Sequence, residues 1–162
     1  MKRHSGWLAA GLLLFAVLAC NLSKNSNNSN NSNKTANANK ATPQPTRAPN
    51  ADVYVNQIYM AKDKNGDPGE ETTSFAPGDR MIHCVIKLNK AKKGTEVRFL
   101  WKIVDVQGSQ NEDIKTIDYT TRSFENNVHS NLNLPKDWPT GKYRVEVYIN
   151  GILDKTIDYT IE

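Results

Sequence analysis

The chain has 162 residues, enough for one domain with appendages, and a formal net charge of +4. The charge is unevenly placed, because residues 1–50 hold no acidic residue whereas residues 51–162 hold all 17 acidic residues and only 15 of the 21 basic ones. A nucleic-acid-binding domain carries its basic patch on the folded part, so this distribution argues against nucleic acid as a partner.

Residues 1–19 have the pattern of an export signal. A short basic start precedes an apolar run over residues 7–19. The run is too short to cross a bilayer core, which takes about 20 residues, but it has the length of a signal-peptide core. An ordinary secretory signal followed by a chance cysteine, or an uncleaved short membrane helix, are the alternatives.

The signal ends in Val17-Leu18-Ala19-Cys20, which resembles the lipobox of bacterial lipoproteins. The resemblance implies cleavage before Cys20, acylation of its thiol, and a lipid bilayer as the partner of the acylated residue. Because each buried methylene contributes about 0.8 kcal/mol, two or more acyl chains anchor a protein stably. Lipoproteins retained in an inner membrane usually carry Asp after the cysteine, so Asn21 favours the outer membrane in a cell that has one.

Residues 20–50 are predicted to be the lipidated cysteine and a disordered tether. Ten of residues 21–50 are Asn, and the others are mainly Ser, Ala, Thr, Lys and Pro. Such a segment has no apolar surface to offset the entropy of ordering it. As a flexible coil it would span about 30 Å, long enough to hold a domain clear of a lipid surface.

Residues 51–162 are predicted to form an all-β domain, since their apolar residues alternate with polar ones. Seven antiparallel strands are expected, at 52–60, 80–89, 95–106, 114–122, 126–134, 142–150 and 152–161. Turn signals such as Asn65-Gly66, Lys93-Gly94 and Asn150-Gly151 separate them. Seven short strands in this length are typical of a sandwich.

The alternation also predicts which side chains form the core. The expected inward set is Ile82, Cys84, Ile86, Leu88, Val97, Phe99, Trp101, Ile103, Tyr143, Val145, Val147, Ile149, Ile157, Tyr159 and Ile161. Polar residues such as Arg98, Arg144, Glu146 and Asp158 fall on the opposite, solvent-facing side.

Three apolar residues break the polar pattern of the outer faces: Leu100, Val104 and Tyr148. They form either a small exposed interaction surface or a patch covered by the long loop predicted at 61–79, and cover is favoured. Trp138, in the turn before residue 142, is a further candidate contact, although packing of that turn is the simpler role for it.

The hexapeptide Lys-Thr-Ile-Asp-Tyr-Thr occurs twice, at 115–120 and at 155–160. The simpler interpretation is that two strands meet the same alternation demand, because half-buried strands favour Thr, Ile and Tyr. The alternative is a duplicated edge used for strand addition.

The spacing of several core residues resembles that of the immunoglobulin-like superfamily. Cys84 and Trp101 stand where that family places its first cysteine and its central tryptophan, and Asp137 to Val145 is similar to its tyrosine corner. The resemblance implies a seven-stranded immunoglobulin-like β-sandwich with Tyr143 as the corner tyrosine. Val145 replaces the second cysteine, which suggests the broader bacterial immunoglobulin-like or fibronectin-III-like class without the inter-sheet disulfide.

Residues suited to catalysis are few. His83 is expected on an exposed strand face, pointing away from the core residue Cys84, and no nucleophile motif accompanies it or His129. Asp63, Asn65 and Asp67 alternate as calcium ligands can, but the glycine falls at the wrong position for a calcium loop, so a solvated acidic hairpin is preferred. We expect no enzyme and no cofactor.

Three functions remain open. The first is an envelope lipoprotein whose sandwich is a binding or accessory module for a protein or a glycan. The second is a protease-inhibitor-like module that acts through the 61–79 loop, and the third, with the weakest support, is an enzyme.

Overall fold

The computed structural model describes residues 47–162, which form two β-sheets around one apolar core. The predicted signal, the predicted lipidation site Cys20 and the predicted tether up to residue 46 lie outside the described residues. The strands are β1 (Val55–Lys64), β2 (Asp67–Glu71), β3 (Ser74–Phe75), β4 (Met81–Leu88), β5 (Glu96–Val106), β6 (Ser109–Thr120), β7 (Asn127–Asn133), β8 (Gly141–Ile149) and β9 (Ile152–Ile161). Residues 47–162 include no helix of the length and hydropathy needed to cross a bilayer.

The strands are divided between a four-stranded sheet in the order β2-β1-β4-β7 and a five-stranded sheet in the order β3-β9-β8-β5-β6. All neighbours pair antiparallel except β3 and β9, which are parallel. The expectation of an all-β sandwich is therefore met, with one short parallel pairing added.

The described residues form nine strands, so the prediction of seven was wrong. The stretch predicted as a long loop at 61–79 instead completes β1 and forms β2 and β3. β2 was missed because Pro68 and Gly69 interrupt any alternation, and β3 because its two residues owe their strand geometry to pairing with Thr160 and Ile161. The segment therefore offers no long loop for a protease cleft.

The predicted core is confirmed. All but two residues of the inward set are at least nine-tenths buried, and the exceptions, Ile103 and Ile157, are half-buried against the same core. Alternation succeeds because every second side chain of a strand points to the same face of its sheet.

Two of the predicted hairpin turns have the backbone that their sequence requires. Both residues of Asn65-Gly66 and of Asn150-Gly151 have positive φ, at 59° and 94° and at 50° and 81°. This geometry matches the twist of the strands that each turn joins. A third turn of this kind, at Gln107-Gly108, was not predicted, and it lets β6 begin at Ser109 rather than at 114.

Arg47 packs onto the sandwich, although the sequence placed it in the tether. Its Nε donates to Asp154 Oδ1 over 2.7 Å, its Nη2 donates to the Val55 carbonyl over 2.9 Å, and its guanidinium lies 4.1 Å from the centre of the Tyr54 ring. Ordered packing therefore begins before residue 51.

Candidate functional site

The outer face of the four-stranded sheet carries an open groove of about 530 Å³. β1, β4 and β7 supply its floor through alternate residues, because those pointing away from the core share this face, and β2 adds two residues at its side. Its lining consists of Gln57, Tyr59, Pro68, Glu71, Val85, Lys87, Asn127 and His129. One aromatic ring and several hydrogen-bonding groups thus surround the nearly buried aliphatic side chain of Val85.

His83 lies on the same outer face but is fully buried, so the prediction of an exposed histidine was wrong. Its Nε2 lies 2.9 Å from Asp63 Oδ1, and its ring centre lies 5.8 Å from that of the exposed His129. A carboxylate only accepts hydrogen bonds, so Nε2 carries the proton in this contact. His83 does point away from Cys84, as expected, since Cys84 pairs with Met60 and Ser130 on the core side.

Asp63 connects this histidine to the β1–β2 hairpin. Its Oδ1 also accepts the Gly66 backbone N–H over 3.0 Å, so one carboxylate fixes both the turn and the His83 ring. This role differs from the weak calcium site suggested by Asp63, Asn65 and Asp67. Within residues 47–162 no three His, Cys, Asp or Glu side chains are grouped so as to hold a metal ion.

The histidine face provides little for covalent catalysis. In the described part of the chain His83 forms a hydrogen bond with Asp63 and with no hydroxyl or thiol group, and its Nδ1 has no partner. A nucleophilic mechanism needs the base within hydrogen-bond reach of the nucleophile. The polar side chains of this face can donate and accept hydrogen bonds.

Leu100, Val104 and Tyr148 lie in β5 and β8 of the five-stranded sheet and are each half-buried. Leu100 pairs with Glu146, and Tyr148 pairs with Arg98, so Leu100 and Tyr148 are diagonal neighbours on the outer face. The 61–79 segment does not form the loop that was expected to cover them.

Glu146 is 1% exposed, although the alternation predicted a solvent-facing position. Its Oε2 accepts the Tyr148 hydroxyl over 2.7 Å, while Oε1 lies 3.9 Å from Lys102 Nζ and has no hydrogen-bond partner. Burial, reinforced by the bond to Glu146, raises the pKa of Tyr148 to about 12. Neighbouring side chains on the sheet face thus shield this carboxylate from solvent.

The repeated hexapeptide occupies corresponding places in two hairpins. In β6, Asp118 accepts from Arg98 of β5 over 2.7 Å; in β9, Asp158 accepts from Arg144 of β8 over 2.5 Å. β5 and β8 pair with Leu100 opposite Glu146, so the pairing of the four strands is approximately two-fold symmetric about that pair. The two copies share this pairing but not their burial, because Tyr159 lies in the core whereas Tyr119 is half-buried and donates its hydroxyl to Glu125.

Trp138 is 2% exposed and belongs to the core rather than to an interaction surface. Its Nε1 donates to the Arg80 carbonyl over 3.1 Å, and its ring packs edge-on against Tyr143 at 5.4 Å. The Tyr143 hydroxyl donates to the Pro139 carbonyl over 2.7 Å, which is the hydrogen bond of a tyrosine corner.

The groove residues were not predicted from the sequence as a site. A signal for them was present, because Gln57 and Tyr59 in β1, and Asn127 and His129 in β7, alternate with core residues and so share one outer face. The groove could not be located without the order of the strands, which places β4 between β1 and β7.

No protein-family model and no curated protein matches the chain. Among solved structures it is similar to an immunoglobulin-like protein of Pseudomonas aeruginosa, with a TM-score of 0.50 and 11% identity over 71% of this chain and 100% of that one. An alkylpurine DNA glycosylase of Pseudomonas fluorescens, bound to DNA containing an abasic site analog, aligns with a TM-score of 0.42 and 12% identity; the match covers 69% of this chain and 31% of that one. The two sheets, the tyrosine corner and the first of these neighbours together show that the described chain has an immunoglobulin-like β-sandwich fold.

Proposed function

We propose that the protein is a lipid-anchored envelope lipoprotein whose sandwich is a non-catalytic binding module. The observation that carries the binding role is the groove on the outer face of the four-stranded sheet. It has the mixture of an aromatic ring, amides and an imidazole over an aliphatic floor that is common in recognition sites. The anchoring rests on the sequence Val17-Leu18-Ala19-Cys20 after an export-signal core.

The lining favours a glycan of the cell envelope as the ligand. Gln57 and Asn127 each offer both donors and an acceptor, which suits hydroxyl groups, and the Tyr59 ring offers an apolar face with a polar tip. Lys87 and Glu71 add one charge of each sign, so the lining has no strong preference for a charged ligand. A tether of about 30 Å would bring the groove within reach of a cell-wall layer.

The anchor is tested by Cys20→Ser. We expect the variant to leave the membrane fraction, and mass spectrometry of the native protein to find an acylated residue 20 as its first residue. A bare Cys20, or a leader that is still attached, would contradict the lipoprotein assignment.

The groove is tested by co-sedimentation of the full chain with purified cell-wall sacculi. We expect Tyr59→Ala and Asn127→Ala to weaken binding at least tenfold, since each removes a group that faces the ligand, whereas Thr116→Ala on the outer face of the other sheet leaves it unchanged. Equal binding by all three variants would contradict a site in the groove.

A photo-crosslinking residue at position 127 distinguishes a glycan from a protein ligand. A residue at position 116, exposed on the other sheet, is its matched control. Crosslinks from position 127 to one discrete protein in intact cells, with no binding to sacculi, would replace the glycan by a protein partner.

A further inference from the structure

Four segments meet at one end of the sandwich, which we call the tether end: residues 47–54, 89–95, 121–126 and 150–152. Backbone hydrogen bonds join them, from Asn89 N to the Tyr54 carbonyl over 3.0 Å and from Gly94 N to the Thr121 carbonyl over 2.9 Å. Asn150 N donates to the Glu96 carbonyl, at the start of β5, over 2.9 Å. Arg47, the first described residue, therefore lies at this end.

The tether end carries the two exposed large apolar side chains of the described residues. Phe124, in the loop between β6 and β7, is 96% exposed, and Ile152, directly after the Asn150-Gly151 turn, is 44% exposed. Moving the exposed ring of Phe124 from water into an apolar environment is favourable.

The loop holds Phe124 in a defined position. Phe124 has a φ of 64°, a left-handed conformation that is strained for an aromatic residue. The adjacent Glu125 carboxylate accepts the Arg122 backbone N–H over 2.8 Å and the Tyr119 hydroxyl over 2.6 Å. The Arg122 N–H, and after it the Tyr119 hydroxyl, lower the pKa of Glu125, so the carboxylate that organises the loop stays charged at neutral pH.

The charge of the tether end complements an anionic surface. Its four segments hold the basic residues Arg47, Lys90, Lys92, Lys93 and Arg122 but only two acidic ones, Asp52 and Glu125. Lys90 and Lys92 both contact Asp52, and Arg47 pairs with Asp154 of β9. Five basic residues therefore face three acidic ones, which leaves a positive balance. At the opposite end, the segments 65–66, 76–80, 107–108 and 134–140 hold two basic and two acidic residues.

We propose that the tether end docks onto an anionic lipid bilayer, with Phe124 and Ile152 among the head groups and the lysines against the phosphates. Apolar side chains that project from a basic surface combine hydrophobic and electrostatic attraction at such an interface. The proposal rests on the proposed lipid anchor, which keeps this end close to the membrane. Docking would direct the groove sideways and the Asn65-Gly66 hairpin away from the lipid.

Quenching by brominated phospholipid tests the docking in the full chain. Phe124→Trp places a reporter at the tether end, and Asn65→Trp places a matched one in the opposite hairpin. With vesicles that contain an anionic phospholipid we expect quenching and a blue shift at position 124 and neither at position 65. The proposal is overturned if the chains float with the vesicles but the tryptophan at position 124 is quenched no more than the one at position 65.

Charge variants give an independent readout. Neutralising Lys90, Lys92 and Lys93 to Gln should weaken docking about fivefold per lysine, whereas neutralising Lys64, Lys136 and Lys142 should not. Raised salt should have the same effect as the first set, because it screens exposed charges. Docking that is insensitive to both changes contradicts the electrostatic part of the proposal.

The outcomes separate the docking from the anchor. If the lipid anchor is absent, the chains will not float with purely zwitterionic vesicles. Docking, if it occurs, must in that case still appear as salt-sensitive binding of the chains to anionic vesicles. If a membrane protein rather than lipid were the partner of Phe124, the reporter would stay unquenched in protein-free vesicles, which overturns the proposal.

Discussion

Tyr143 and Tyr159 are stacked in the core with ring centres 5.2 Å apart, but only one hydroxyl is satisfied. The Tyr143 hydroxyl donates to the Pro139 carbonyl, whereas the Tyr159 hydroxyl is buried without a partner. Burial raises the pKa of both, and far more strongly for Tyr159. The two stacked tyrosines therefore differ in whether the buried hydroxyl has a hydrogen-bond partner.

We predict opposite results for the two hydroxyl deletions. Tyr143→Phe should lower the free energy of unfolding by about 1 kcal/mol, because a net hydrogen bond is lost. Tyr159→Phe should leave it unchanged or raise it, because a buried polar atom without a partner is removed. Urea unfolding of both variants measures the difference, and equal losses would contradict this account of the corner.

Asp154 is 4% exposed and accepts from two partners near the start of the domain. Its Oδ2 accepts the Val55 N–H over 2.8 Å, and its Oδ1 accepts from Arg47 over 2.7 Å. The carboxylate thus holds the first packed residues of the chain against β9.

We predict that Asp154→Ala lowers the free energy of unfolding by about 2–3 kcal/mol, because it leaves a buried Val55 N–H without an acceptor. Asp118→Ala is the matched control. Asp118 also pairs with an arginine, but its side chain is 65% exposed, so we expect a loss below about 1 kcal/mol. Similar losses in thermal or urea unfolding would show that burial of the acceptor is not what matters.

The buried polar residues of the two outer faces could not be predicted from the sequence. His83 and Glu146 both point away from the core, as alternation requires, yet both are buried. Their burial depends on the side chains that pack above them on the sheet face, such as Tyr148 of the same strand and Lys102 of β5 beside Glu146. A one-dimensional pattern gives the face of a residue but not what packs above it.

At the scale of elements, alternation predicted most strands because their inward positions are almost uniformly apolar. It failed for β2, where Asp67-Pro68-Gly69 carries no alternation, and for β3, which is defined by a long-range pairing with β9. It placed the start of β6 too late, because Ser109 to Asp113 is polar throughout and forms a strand through pairing with β5. Strands held mainly by backbone pairing have little side-chain signal.

The start of β8 depends on a glycine that the chain cannot easily replace. Gly141 has a φ of 151°, and an added Cβ would lie 2.6 Å from the Asp105 carbonyl oxygen and 2.7 Å from Val106 Cγ2. Gly66, in the β1–β2 turn, also has a positive φ, but a Cβ there would meet nothing within 4 Å.

We predict that Gly141→Ala lowers the free energy of unfolding by about 3 kcal/mol or more, because backbone strain and a collision with β5 add together. Gly66→Ala should cost only about 1 kcal/mol, from the left-handed backbone alone. Denaturant midpoints of the two variants give the comparison. Equal costs would show that the close approach of β5 and β8 is readily relieved.

At the scale of the whole molecule, Cys84 reports on complete opening of the sandwich. Its thiol is fully buried between the sheets, and burial raises its pKa. Reaction with a thiol reagent needs an accessible thiolate, so it requires separation of the sheets.

We predict that Cys84 reacts only at the rate set by global unfolding, with the denaturant dependence of that transition. A cysteine introduced by Phe124→Cys should react at once, since position 124 is exposed. Fast labelling of Cys84 in the absence of denaturant would indicate local opening of β4 rather than cooperative unfolding.

The place of β1 also determines how the domain resists mechanical tension. If Arg47 and the outer face of the four-stranded sheet were pulled apart, the load would enter through Arg47 and Val55 and run along β1. This strand lies between β2 and β4 and pairs with β4 from Val55 to Lys62, so its hydrogen bonds would be sheared together rather than opened one after another. The ion pair of Arg47 with Asp154 precedes β1 on this load path, so it would break before the hydrogen bonds of the sheet.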